Sequence, residues 1–287
     1  MIASEPFRVT TDDGYSLAAT IFRPPATQAI DHVVLICSAM GVRQAYYYDF
    51  AEYVAERGCA VITFDYRGVA RSAPERLRGF SARLQDWGQL DISAMIAHAR
   101  EAFPDLPLSA VVHSVGGQVL GLAPNITELK SVLALGAQSG YWGHWDGSDR
   151  LRVWSLWHLI IPTLSPLMGY FPSRWFGLGR NIPRDVARQW AHWGRHPRYL
   201  MARIPEQERQ GYQRFTGRLR SVTASDDWIA TERGSRALLE FYSSAQGEFC
   251  LARPQALGCG EIGHFGYFRP GVAGKLWPAE VDWLLGG

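Results

Sequence analysis

The chain has 287 residues, of which 47% are hydrophobic, and a formal net charge of +2. A chain of that length buries roughly three quarters of its unfolded surface, enough for one large domain with an insertion and no second core. The small net charge, with no block of like charge, argues against a nucleic-acid partner. In chain order, residues 7–10 and 16–22 read as an antiparallel entry hairpin across Asp12-Asp13-Gly14. Continuous apolar runs at 32–37 and 60–64 are strands of the type buried on both faces. Between them a helix over about 45–57 places Tyr46, Phe50 and Val54 on one face and ends at Gly58. Asp86 and Gln89 fit a capping box that opens a helix to about residue 102, stopped by Phe103-Pro104.

The run 110–112 leads into His113-Ser114-Val115-Gly116-Gly117, where a helical period takes over, and 131–137 is a further strand. Between 141 and 205 this rhythm fails: the segment holds seven of the eleven tryptophans, with helical patches separated by Pro162, Pro166, Pro172 and Pro183. The pattern resumes with a strand at 218–223, a helix at 231–242 and a last strand at 248–252. Pro278 then starts a terminal helix with Val281, Leu284 and Leu285 on one face. Repeated strand, helix, strand order predicts an α/β architecture with a mostly parallel sheet and right-handed crossovers.

A strand that turns abruptly into a helix at Ser114 lifts that side chain above the carboxyl edge of a sheet, beside the N–H groups of a helix start. That arrangement suits a nucleophile whose product bears an oxyanion. The segment resembles the nucleophile elbow of the α/β-hydrolases, G-x-S-x-G, with Val112 where the family has glycine or another small residue. Residues 65–72, Asp-Tyr-Arg-Gly-Val-Ala-Arg-Ser, are similar to the family's D-x-R-G-x-G-x-S segment, with Ala70 replacing a glycine. Residues 265–269, with Gly41-Val42 and Asp65-Tyr66-Arg67-Gly68, look like a group of bacterial α/β-hydrolases of unassigned substrate. The resemblance implies an α/β-hydrolase fold, with core at 1–140 and 206–287 and a helical cap at 141–205 inserted before the acid-bearing strand.

Serine, acid, histidine is the chain order in that family. After the strand at 218–223 comes Ala224-Ser225-Asp226-Asp227-Trp228-Ile229. There the resemblance points to Asp227, two residues before an aliphatic one, with Asp226 in reserve as acid or as a brace of the loop. The alternative acid position, the loop 136–140, holds no carboxylate. Residues 262–268, Ile-Gly-His-Phe-Gly-Tyr-Phe, supply His264 as the base. The resemblance also assigns the oxyanion donors to the N–H groups of Val115 and of Met40, in Ser38-Ala39-Met40-Gly41. A serine hydroxyl needs such a base, and the base an orienting carboxylate.

The function this implies is hydrolysis of a carboxylic ester or thioester through an acyl-enzyme on Ser114, with a small-molecule acyl substrate and no cofactor. The alternatives are an acyltransferase using the same three residues and a catalytically silent ligand-binding module. Residues 141–205 carry nine arginines against three aspartates. They read either as an apolar acyl pocket with an anion-preferring mouth or as packed tryptophans under solvated arginines. His192 and His196 have a metal-like spacing without a third ligand, and Cys37, Cys59, Cys250 and Cys259 have no metal-type spacing and read as reduced thiols. The N-terminus has no apolar signal region, and the apolar stretch at 156–171 is broken by prolines and short for a bilayer, so a cytoplasmic protein is expected.

Overall fold

The alternation of apolar runs with amphipathic helices produces one eight-stranded sheet in the computed structural model, which describes residues 2–286. Its strands are β1 (Ala3–Thr10), β2 (Ser16–Arg23), β3 (His32–Cys37), β4 (Cys59–Phe64), β5 (Leu108–His113), β6 (Leu129–Leu135), β7 (Arg218–Ala224) and β8 (Gln246–Ala252). They lie in the order β1-β2-β4-β3-β5-β6-β7-β8. The β1/β2 and β2/β4 pairs are antiparallel and every other pair is parallel. Strands β3, β4 and β5 are buried at every residue, as continuous apolar runs require when helices cover both faces.

Period-two alternation divides the core. Val34, Ile36, Val61 and Val111 pack on α1 (Tyr48–Ala55) and on the terminal helix. Val33, Leu35, Ile62 and Ala110 face α2 (Ser93–Ala102), α3 (Val115–Leu120) and a later helix, Glu232–Leu239.

Several elements depart from expectation for local reasons. A 3₁₀ turn at Gln44–Tyr47 precedes α1, so the buried face steps from Tyr47 to Phe50 and leaves Tyr46 half-exposed. The helix before β5 starts at Leu84, because the backbone N–H of Arg83 donates to Asp86 at 2.7 Å; Asp86 closes the first turn from inside it. A π-helical stretch, Trp87–Ile92, then stacks Trp87 on Tyr66 at 4.4 Å and sets Asp91 under Arg67. The terminal helix runs Pro270–Leu285 and begins eight residues before Pro278. Pro270 sits in the first turn, where a missing N–H costs nothing, and burial of Leu276, Trp277, Val281 and Leu284 holds the helix together across Pro278.

Between β6 and β7 the chain adds no strand to the main sheet. It forms α4 (Gly147–Ser155), a π turn (Leu156–Ile160), α5 (Ile161–Met168), a two-residue ladder of Tyr170–Phe171 with Ile182–Pro183, and α6 (Arg184–Gly194). Trp145, Trp157, Trp190 and Trp193 from this stretch are buried in the main apolar cluster, and the indole N–H of Trp157 donates to the Gly140 carbonyl at 3.0 Å. The tryptophans thus fasten the segment to the edge of the sheet from which Ser114 projects. Among the described residues, no helix is long and apolar enough to cross a membrane.

Candidate active site

Ser114 joins β5 to α3 with φ +52° and ψ −113°, a backbone conformation that costs a side-chain-bearing residue of order 1–3 kcal/mol. The turn closes because nothing projects from the next two glycines. A Cβ on Gly116 would lie 2.6 Å from the Cys37 carbonyl oxygen, and one on Gly117 would lie 2.6 Å from Ala137 Cβ and 3.2 Å from Val112 Cγ2. This accounts for the valine at a position where small residues are usual. The branched side chain of Val112 occupies room that the bare Gly117 leaves on the next element.

The structure brings three residues named from sequence into one chain of hydrogen bonds. His264 Nε2 is 3.0 Å from Ser114 Oγ, and His264 Nδ1 is 2.9 Å from Asp227 Oδ2. All three residues are 6% exposed. A carboxylate only accepts, so Nδ1 carries the hydrogen and Nε2 presents its lone pair to the serine hydroxyl. Asp227 is itself fixed: Oδ1 accepts from the N–H groups of Ile229 at 2.9 Å and Ala230 at 2.8 Å, and Oδ2 from the Tyr267 hydroxyl at 3.0 Å. Burial and the adjacent Asp227 push the Tyr267 phenol well above its usual range, which keeps it a donor. Asp226 points elsewhere. It accepts from the N–H groups of Ile262 at 2.9 Å and Gly263 at 3.1 Å and so braces the loop that carries His264.

The other side of the site is the loop after β3, the neighbour of β5. Neither Met40 N–H nor Val115 N–H has an intramolecular acceptor among the described residues. The loop is set by its flanks. Ala39 N–H donates to the Tyr47 hydroxyl at 2.8 Å, and Gln44 N–H donates to Asp65 at 2.8 Å. Arg67 of the same motif as Asp65 binds Asp91 at 2.6 Å and Asp13 at 2.7 Å, tying the entry hairpin to the π-helical stretch. The Asp65-to-Ser72 segment therefore holds the scaffold around the site rather than the reacting groups.

Two buried residues connect the two sides, and no spacing rule singles out either. The Tyr47 hydroxyl donates to His113 Nδ1 at 2.9 Å, and His113 Nε2–H donates to the backbone carbonyl of His264 at 2.9 Å. Burial, followed by the neighbouring His264, holds the His113 pKa well below the usual imidazole range. Its folded value lies below its unfolded one, so the unfolded chain binds more protons below about pH 6.5, and the stability contributed by His113 is lost as pH falls. The stability difference between wild type and His113→Gln is therefore expected to shrink by on the order of 1–2 kcal/mol between pH 7 and pH 5. Urea unfolding at both pH values checks this, and a difference independent of pH would contradict it.

An apolar cavity of about 290 Å³ opens beside the acid loop, walled by Gln138, Trp145, Trp157, Trp190, Trp228 and Ile229 among others. A strap at residues 177–180 borders it and lies over the loop after β3, with Arg180 N–H donating to the Gly41 carbonyl at 2.7 Å. His192 and His196 are joined by no further ligand that would complete a metal site among the described residues. All four cysteines are free; Cys37 and Cys59 are buried and Cys250 and Cys259 partly so.

Comparison with known proteins adds three findings. A family described as serine aminopeptidase, S33, matches residues 28–125, about a third of the chain. No curated protein matches the sequence significantly. Many solved structures match the fold. A soluble variant of monoglyceride lipase from Saccharomyces cerevisiae, in complex with a substrate analogue, has a TM-score of 0.68 at 16% identity, covering 98% of this chain and 94% of that one. The Pyrococcus furiosus esterase Pf2001 has a TM-score of 0.64 at 14% identity, covering 99% and 91%. DcsB, in complex with its substrate analogue, has a TM-score of 0.68 at 13% identity, covering 99% of both. At such identities the likeness is one of fold.

Proposed function

We propose that the chain, which has the α/β-hydrolase fold and matches the serine aminopeptidase, S33, family over residues 28–125, is a serine hydrolase cleaving a carboxylic ester or thioester through an acyl-enzyme on Ser114. The observation that carries this reading is the bonded sequence Ser114 Oγ, His264 Nε2, His264 Nδ1, Asp227 Oδ2, built on a serine held at positive φ. As Ser114 Oγ adds to the acyl carbonyl, His264 takes its proton and Asp227 stabilises the imidazolium. The developing oxyanion is received by Val115 N–H and Met40 N–H, donors of a kind worth several kcal/mol of barrier when preorganised. His264 then gives its proton to the departing oxygen or sulfur, and water activated by the same imidazole releases the acid.

In this proposal residues 141–205 act as the cap, and the apolar cavity beneath it takes the acyl chain. Hydrolysis of peptides from a free amino terminus is disfavoured. An ammonium group wants a carboxylate, and none lines the cavities on either side of the strap. A panel of short and medium acyl esters, thioesters and amides, with product analysis in the presence of added alcohols, amines and thiols, tests the proposal. The expected result is release of free acid from esters or thioesters, with water as acceptor. Acyl transfer to an added nucleophile under all conditions would make the protein an acyltransferase, and no turnover of any acyl compound would leave a binding module.

A further inference from the structure

On the other side of the strap from the apolar cavity lies an open cavity of about 380 Å³, walled by Arg43, Arg174, Arg180 and Arg269 with Tyr46 and Phe265. No carboxylate lines it, and none of these four arginines makes an ion pair among the described residues. Of the other arginines in or beside the same segment, Arg152 pairs with Asp149 at 3.1 Å, Arg184 and Arg188 share Asp185 at 2.9 and 3.6 Å, and Arg233 pairs with Asp146 at 3.1 Å, while Arg150, Arg195, Arg198 and Arg203 make no ion pair among the described residues and do not line this cavity. Four guanidinium groups without a counter-charge thus share the wall of one cavity. A neighbouring cavity shares Arg43 and Arg180 and adds Arg71; the one carboxylate there, Asp65, is buried and takes its donors from Gln44 and the Arg71 backbone. Guanidinium groups that share a wall without counter-charge repel one another, and an anion placed among them removes that cost.

The position relative to the reacting groups decides which half of a substrate the cavity would hold. Its wall includes Gly41 and Val42, which follow Met40, and Phe265, which follows His264; the Tyr46 hydroxyl donates to the Phe265 carbonyl and joins the two loops. The apolar cavity borders the loop that carries Asp227. In acyl transfer to a serine, the protonated imidazole hands its proton to the leaving atom, so the leaving half lies on the histidine side. Resting on the serine-hydrolase reading, we infer that the substrate is an apolar acyl ester or thioester whose alcohol or thiol half carries a phosphate held by the Arg43, Arg174, Arg180 and Arg269 cluster.

A phosphate fits this cluster better than a single carboxylate does. One bidentate arginine satisfies a carboxylate, whereas a phosphomonoester has three terminal oxygens and about −1.5 to −2 charge at pH 7 and engages several. In the reaction the bond from Ser114 Oγ to the acyl carbon forms and the bond from that carbon to the leaving oxygen or sulfur breaks. The proton on His264 passes to the leaving atom, freeing a phosphorylated alcohol or thiol; water then cleaves the acyl-enzyme to the carboxylic acid.

The test uses one acyl group on four leaving halves: monohexanoylglycerol, its 3-phosphate, hexanoyl glycolate and hexanoyl phosphopantetheine. Wild type is expected to hydrolyse at least one phosphate-bearing compound with a kcat/KM about tenfold or more above the neutral ester, chiefly through KM, and added salt should erode the preference. In Arg43→Gln with Arg180→Gln, two exposed positions, the ratio of phosphorylated to neutral should fall toward one. Calorimetric titration of glycerol 3-phosphate and of phosphopantetheine into Ser114→Ala protein, which needs no chemistry, should show binding of at least one. Equal kcat/KM across all four compounds overturns the phosphate assignment while the hydrolase reading stands. Phosphate binding without hydrolysis of any compound overturns the hydrolase reading, and the substrate assignment falls with it.

Discussion

Ser114→Ala is expected to lower ester turnover by at least about a thousandfold, and Ser114→Gly to be equally inactive yet more stable than Ser114→Ala by about 1 kcal/mol. In the proposed mechanism both lose the nucleophile, and the donors and cavities left behind can supply only the residual catalysis that binding and oxyanion stabilisation give. The stability difference comes from the backbone. At φ +52° alanine retains the strain that serine bears, whereas glycine adopts that conformation freely. Against this, glycine gives up more chain entropy on folding, of order 0.4–1 kcal/mol, so the net gain is smaller than the strain relieved. Turnover of a medium-chain ester and urea midpoints of the two variants measure both parts. If the alanine variant were the more stable, the serine backbone would not be strained and the elbow would owe its shape to packing alone.

Asp227→Asn and Asp226→Asn are expected to separate by orders of magnitude despite being neighbours. An asparagine at 227 no longer offers two acceptor oxygens to a site where His264, Ile229, Ala230 and Tyr267 all donate. Its amide can turn toward Nδ1 and impose the wrong imidazole tautomer, a fault that costs on the order of ten-thousandfold in kcat where such a residue orients the base. At 226 the carboxylate is exposed and touches only backbone N–H groups of Ile262 and Gly263, one of which an asparagine oxygen can still accept. That variant should lose no more than about tenfold in kcat and about 1 kcal/mol of stability. Steady-state kcat for both decides the matter, and a larger loss at 226 would exchange the roles of the two residues.

What the sequence makes legible is whatever repeats locally or stands in a fixed order. The buried runs at β3, β4 and β5 announce themselves because strands covered on both faces have no polar alternation to hide them. Ser114, Asp227 and His264 stand out because each follows a strand, and the structure brings them within hydrogen-bonding reach. The π-helical turn that lets Asp91 meet Arg67 leaves no periodic trace, since one extra residue per turn over a single turn is lost among ordinary helical spacings. Tyr47, His113 and Tyr267 are hidden for another reason. Tyr47 meets His113, His113 meets His264 and Tyr267 meets Asp227 across tens of residues or more of chain, and only the folded sheet brings the loops after β3, β5 and β8 to one edge.

Val112 shows the same limit from the other side. Judged alone it breaks the small-residue rule at such a turn; judged with Gly117 it fits, because its Cγ2 stands 3.2 Å from where a Cβ on that glycine would lie. The cavities were less legible still, because Arg43, Arg174, Arg180 and Arg269 come from three separate stretches of the chain and converge only where the strap meets the loop after β3.

The central claim is that Ser114 is an activated nucleophile, and intact mass after treatment with a fluorophosphonate probe tests it most directly. One adduct on wild type and none on folded Ser114→Ala is the predicted result. No adduct on folded wild type, or the same adduct on both proteins, would contradict it.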